Sequence, residues 1–227
     1  MSPETNQPGP PLDCDSAGTR RWVVLLWLFT LGFMVALAVP VLEQAVSAVD
    51  ERIYDLAVAV EQPLLVEVAR AFDTVGIWTS WSLFTFGVAA ILLVLRHWAG
   101  FAVWLVSMTI AWVASPYIKL AYERERPPDG LVEAGSYAFV SGHATTAAAL
   151  GFTAVLILIP AGPRRRRWLW VALAYAVLMA WSRIYLRVHW LSDTLGGLAL
   201  GAAIAVTVAF FASWWYAKRP PHREAQV

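Results

Sequence analysis

The sequence predicts an all-α integral membrane protein: a six-transmembrane-helix bundle with short interfacial helices between the first and second spans. Three observations predict it. Hydrophobic residues make up 59% of the chain and charged ones 15%, with a mean hydropathy of +0.58, whereas a soluble domain is about 45–50% apolar and about 25% charged. Apolar runs long enough to cross a bilayer recur along the chain. Most of the 13 tryptophans stand at the ends of those runs, where amphipathic rings settle at the membrane–water interface.

The first 19 residues carry Pro3, Pro8, Gly9, Pro10, Pro11 and Gly18 with almost no apolar content, and read as a disordered tail. Arg20 and Arg21 introduce Trp22–Leu42, 21 residues without a charge and enough for a core of about 30 Å. Ala36-Leu37-Ala38 resembles a signal-peptide cleavage site, but the apolar stretch runs on past it, which favours a retained span. Residues 43–77 differ. Glu43, Asp50, Glu51, Asp55, Glu61, Glu67 and Asp73 punctuate them, while Val46, Val49, Ile53, Leu56 and Val60 recur at helical spacing. One apolar stripe with acids elsewhere predicts one or two short helices along the interface or capping the bundle, an external amphipathic segment. The other five spans are Trp78–Leu95, Ala99–Ile118, Ala144–Pro160, Trp168–Leu186 and Leu191–Ala217, completing one domain over residues 20–217 before a polar tail at 218–227.

Net charge is only +1, but it is unevenly distributed. With the N-terminus inside, the inner segments hold Arg20, Arg21, Arg96, Arg164 to Arg167, Lys218, Arg219 and Arg223, ten of the 17 basic residues, against four of the 16 acids. The positive-inside rule therefore places both termini in the cytoplasm of a multi-pass cell-membrane protein. Cys14, the single cysteine, excludes an internal disulfide and a cysteine-built metal cage. No feature points to nucleic acid.

That topology brings three polar segments to one external face. Lys119 to Pro127 closes the third span, Val140-Ser141-Gly142-His143 opens the fourth, and Ser182 to Asp193 joins the fifth to the sixth. Charges at the edge of a bilayer are costly and need a reason. If the last helix starts near His189, His189 and Asp193 share one face, so the carboxylate can fix the imidazole's tautomer and ready its other nitrogen for nucleophilic or base chemistry. Lys119, Arg126 and Arg183 supply cations for an oxyanion. Ser141 and Gly142 start a helix whose free N–H groups favour the same anion, with glycine allowing close approach. His143 is placed to protonate a leaving oxygen. Each residue also has a plain role: Lys119 as a snorkelling anchor, Ser141 as a helix cap, Arg126 as a loop charge, His143 as an interfacial histidine. Four such coincidences on one face strain that account. A metal held by His189 and Asp193 is disfavoured by the surrounding Lys119, Arg126, Arg183 and Arg187, which repel a divalent cation.

Lys119-x6-Arg126-Pro127, Ser141-Gly142-His143 and Ser182-Arg183-x5-His189-x3-Asp193 together resemble the three-part signature of the type 2 phosphatidic acid phosphatase superfamily. The motifs cover residues 119–193, and Val140 stands where the family's pattern often has proline. The resemblance implies a phosphatase that needs neither metal nor other cofactor and works through a phosphohistidine. It gives His189 as nucleophile, Asp193 as its partner, His143 as acid, and Lys119, Arg126, Ser141, Gly142 and Arg183 as phosphate binders. The expected substrate is an outer-leaflet lipid phosphate or diphosphate: undecaprenyl diphosphate, phosphatidate or phosphatidylglycerophosphate. The alternative is a phosphotransferase that passes the phosphoryl group from the same histidine to a lipid or saccharide acceptor. Arg187 lies outside the signature and reads as an interfacial charge.

Overall fold

The computed structural model describes residues 17–75 and 78–218, and every regular element among them is an α-helix. The tails expected over 1–19 and 218–227 fall outside these residues, except Ala17–Thr19, which begin the first helix, and Lys218. The helices are α1 (Ala17–Ala38), α2 (Pro40–Ala59), α3 (Pro63–Val75), α4 (Trp78–Val94), α5 (Trp98–Tyr122), α6 (Gly142–Leu158), α7 (Pro163–Tyr185) and α8 (Leu191–Ala217). Proline opens α2, α3 and α7, the position where its missing N–H costs nothing. By length and composition α1, α5, α7 and α8 suffice to cross a membrane, while α6 and the Trp81–Val94 part of α4 are apolar but shorter.

The centre of the bundle is α6, packed on α5, α7 and most extensively on α8. The sequence explains that closeness. Ala144, Ala147, Ala148 and Ala149 on α6 are fully buried, as are Ala203, Ala205 and Ala209 on α8. At Gly197 an added Cβ would lie 2.7 Å from the Ser141 carbonyl oxygen, and at Gly201 only 2.2 Å from that of Thr145. Small residues four apart let two membrane helices approach backbone to backbone. This seam draws the start of α6 against the start of α8, the two ends that carry the second and third polar segments.

Between α1 and α4, the expected amphipathic segment is the helix pair α2–α3. Its buried face corrects the sequence-based division into an apolar stripe and solvated acids. Val49, Leu56 and Val60 of the stripe are exposed, whereas Asp50 is 2% exposed and faces inward. Asp50 lies four residues after Val46 and three before Ile53, hence on the same face. It is buried because a cation meets it there.

Candidate active site

The pair that organises the site is His189 and Asp193. Helix α8 starts at Leu191, so His189 precedes the helix instead of sharing its first turn. The two still meet, with His189 Nδ1 3.4 Å from Asp193 Oδ2. Asp193 gets there by capping: it is the third residue of α8, and its Oδ2 accepts the backbone N–H of Trp190 at 2.8 Å. On the far side of the ring, Arg126 Nη1 stands 3.2 Å from His189 Nε2. A guanidinium only donates, so Nε2 must carry the lone pair and Nδ1 the hydrogen. The carboxylate and the arginine thus hold the tautomer whose Nε2 can attack.

Around this pair the three expected cations converge from different elements. Arg126, in the loop after α5, donates to the carbonyls of Val188 and Tyr137, which fixes it against the α7–α8 turn. Lys119, in the last turn of α5, donates to the carbonyls of Tyr137 and Ala138. Arg183, in the last turn of α7, is 3% exposed and pairs with Asp73 of α3. His189 is also 3% exposed. Burial first, then the charges of Lys119, Arg126 and Arg183, hold its pKa well below the ordinary imidazole value, so it rests neutral.

The start of α6 completes the cavity. Ser141 caps the helix, its hydroxyl accepting the Ala144 N–H, and its own N–H donates to the Asp193 carbonyl at 3.1 Å. That last bond ties the second segment to the third through backbone. A Cβ built on Gly142 would meet nothing within 4 Å, so packing does not demand the glycine, and the space beside it is open. His143 stacks on Trp81 with ring centroids 5.1 Å apart, and its Nε2 is 3.6 Å from Asp73 Oδ1. His143 Nε2 and Arg183 Nε are buried nitrogens without a hydrogen-bond partner among the described residues. Buried polar atoms are seldom left so, and a bound oxyanion would satisfy both.

The eight sequence-predicted residues thus come together from the three expected segments, Lys119, Gly142 and His143 lining one groove and Arg126, Ser141, Arg183, His189 and Asp193 joined around the His189–Asp193 pair, while Arg187 pairs with Glu61 at 3.0 Å. Four other polar residues went unforeseen. Arg124 Nη1 lies 2.7 Å from Asp193 Oδ1 and 2.6 Å from Ser192 Oγ, and its Nη2 lies 2.7 Å from Asp50 Oδ2. Asp50 in turn accepts from the N–H and hydroxyl of Ser192 at 2.9 and 2.6 Å. Asp73 is the fourth, between Arg183 and His143. One signal for Asp50 was available, a single acid on an apolar helix face. Arg124 and Asp73 sit in acid-rich or mixed-charge stretches with no periodicity to set them apart.

Comparison with known proteins gives the family. The sequence profile of the PAP2 superfamily matches residues 82–219. Phosphatidylglycerophosphatase B of Bacillus subtilis is 31% identical over 186 residues, covering 79% of this chain and 91% of that protein. An undecaprenyl-diphosphatase of Sulfolobus acidocaldarius is 32% identical over 127 residues, covering 52% of this chain and 58% of its own length. The crystal structure of a transmembrane PAP2-type phosphatidylglycerolphosphate phosphatase from Bacillus subtilis superposes with a TM-score of 0.74 at 29% identity, over 88% of this chain and 98% of that one. With its profile match spanning more than half of the residues and a bundle that superposes on a PAP2 phosphatase, this chain belongs to the PAP2 superfamily.

Proposed function

We propose that the protein is a membrane lipid phosphatase that hydrolyses the phosphate or diphosphate headgroup of an outer-leaflet lipid through a phosphohistidine. The observation that carries this is His189, held neutral with Nδ1 toward Asp193 and Nε2 toward Arg126, beside unpartnered donors on Arg183 and His143. In the first step His189 Nε2 forms a bond to phosphorus as the bond to the leaving oxygen breaks; His143, whose pKa burial and then Arg183 also lower, takes up a proton once the phosphate's negative charge is bound and delivers it to that oxygen. Lys119, Arg126 and Arg183 stabilise the charge on the equatorial oxygens. Asp193 stabilises the imidazolium. In the second step water, deprotonated by His143, attacks phosphorus, and the P–N bond breaks to release inorganic phosphate. Every step is carried by side chains, and the three cations around the pocket would repel a divalent metal.

In this reading α4 and α6 complete six spans with α1, α5, α7 and α8. Both termini lie in the cytoplasm, and the site opens at the external leaflet beside α2–α3, whose exposed Val49, Leu56 and Val60 rest on the bilayer. The test is a panel of lipid phosphates and diphosphates in detergent micelles, with and without chelator, following free phosphate. Release that persists with chelator and vanishes in His189→Ala supports the proposal, as does an acid-labile phosphoenzyme seen in wild type alone. Transfer to an added lipid or sugar without free phosphate would instead identify a phosphotransferase.

A further inference from the structure

The geometry points to Asp73 as a specificity-determining residue that favours lipid phosphomonoesters over lipid diphosphates, an inference that rests on the lipid-phosphatase reading. In sequence Asp73 is one acid among seven in an external connector. In the structure α3 carries it against Arg183 and His143. One carboxylate oxygen takes the Arg183 guanidinium and lies 3.6 Å from His143 Nε2.

His143 Nε2 is the atom that gives its proton to the leaving oxygen, so Asp73 marks the leaving-group side. Arg183 holds Asp73 through Nη1 and has Nε without a partner among the described residues, so it can grip a phosphate while still holding the carboxylate. Asp73 therefore keeps its place when the cavity fills. Beyond His143 runs a groove of about 470 Å³, walled mostly by apolar groups including Trp81, Ala111, Pro116 and Leu120. The cation that lines it is Lys119, already engaged by two carbonyls.

The two lipid classes meet this wall differently. In a monoester the bond that breaks joins phosphorus to an alkyl oxygen, and the groove receives a neutral chain. In a diphosphate, attack on the terminal phosphorus expels an oxygen that belongs to a second, anionic phosphoryl group. That group would enter the groove beside His143, near the Asp73 carboxylate, whose one cationic partner, Arg183, is shared with the transferred phosphate. Like charges at about 4 Å repel strongly enough in a partly buried site to change a rate constant tenfold or more.

The experiment compares farnesyl phosphate with farnesyl diphosphate, which share one tail, in detergent micelles. Wild type should show the higher kcat/KM with the monophosphate. Asp73→Asn keeps the size and an acceptor for Arg183 but removes the charge, and should move the ratio toward the diphosphate by about tenfold or more. Asp73→Glu should keep the wild-type preference. A purely structural aspartate would lower both rates together, so an unchanged ratio in Asp73→Asn overturns the assignment. Wild type that prefers the diphosphate also overturns it, whether or not the variants fold. Release from neither farnesyl lipid by wild type overturns the assignment, and release from no lipid of the phosphate and diphosphate panel removes the phosphatase reading itself.

Discussion

Arg124 holds the carboxylate that holds His189: its Nη1 lies 2.7 Å from Asp193 Oδ1, while Asp193 Oδ2 faces His189. Its other terminal nitrogen is 2.7 Å from Asp50 of α2, so one guanidinium joins α2 to the carboxylate that faces His189. Asp193 is fully buried, Asp50 nearly so, and the Arg124 side chain is 12% exposed.

Removing Arg124 would leave two buried carboxylates sharing a site without their cation. Breaking a buried pair from one side costs about 3–5 kcal/mol. Arg124→Ala is therefore expected to lower the Tm in detergent, and Arg124→Lys, which has one nitrogen where Arg124 gives a separate one to each acid, to fold better yet remain slow. Asp193 loosened from Arg124 would fix the tautomer and orientation of His189 less well, so turnover should fall by about tenfold or more, and that loss should fall on kcat more than on KM. Phosphate-release kinetics of both variants, beside Tm, separate the two effects.

The neutral resting state of His189 sets a pH dependence. Its pKa lies below the ordinary value of about 6.5, through burial and the three cations. The acid limb of kcat/KM should therefore fall below pH 6.5, and in Lys119→Met, with one cation gone, it should move upward. Using one substrate for both proteins cancels the substrate's own ionisation. Stability follows the same sign. The unfolded chain takes up a proton near pH 6.5 that the folded site refuses, so this contribution is whole above about 6.5 and is lost as pH falls toward the folded value. The Tm of wild type should drop on acidification more steeply than that of His189→Gln.

The bundle and the core of the site could be read from the chain because both leave periodic or spaced signals. The charge-free run Trp22–Leu42 declares α1, although that helix stops at Ala38 and Pro40 opens α2, and His189 and Asp193 stand at a spacing that the helix start preserves. What stayed hidden comes from the α2–α3 segment. Asp50 and Asp73 reach the site through tertiary packing; Asp50 had its place on the Val46–Ile53 face as a signal, and Asp73 had none. Arg124 stands two residues before Arg126, and which arginine faces the phosphate and which the carboxylates depends on the path of the loop. The α6–α8 seam was present as Gly197-x3-Gly201 but had no meaning until its partner helix was known.

Two glycines separate packing from chemistry. A Cβ at Gly201 would lie 2.2 Å from the Thr145 carbonyl oxygen, and backbone cannot swing aside as a side chain can. Overpacking of this kind costs about 1–3 kcal/mol or more, so Gly201→Ala should lower Tm and shift α6 from α8. A Cβ at Gly142 meets nothing. Gly142→Ala should keep the wild-type Tm yet place a methyl where the phosphate approaches the helix N-terminus. A displacement of about 1 Å can cost on the order of a hundredfold in rate. Normal turnover in Gly142→Ala would remove Gly142 from the phosphate-binding set.

His143 has a role that the leaving group can expose. An alkoxide leaves badly unless it is protonated as the P–O bond breaks, so an alkyl lipid phosphate depends on the acid, and general acid catalysis supplies about 10²–10⁴-fold. A nitrophenolate leaves without help. His143→Ala should therefore lose far more activity on an alkyl phosphate than on an aryl phosphate in the first step. In the second step the same variant lacks the base that activates water, so with the aryl substrate it should release a burst of phenol and then accumulate the phosphoenzyme on His189. Equal losses on both substrates, with no burst, would assign His143 to binding instead, leaving Trp81 and Asp73, its neighbours at 5.1 and 3.6 Å, as the groups that merely fix its place.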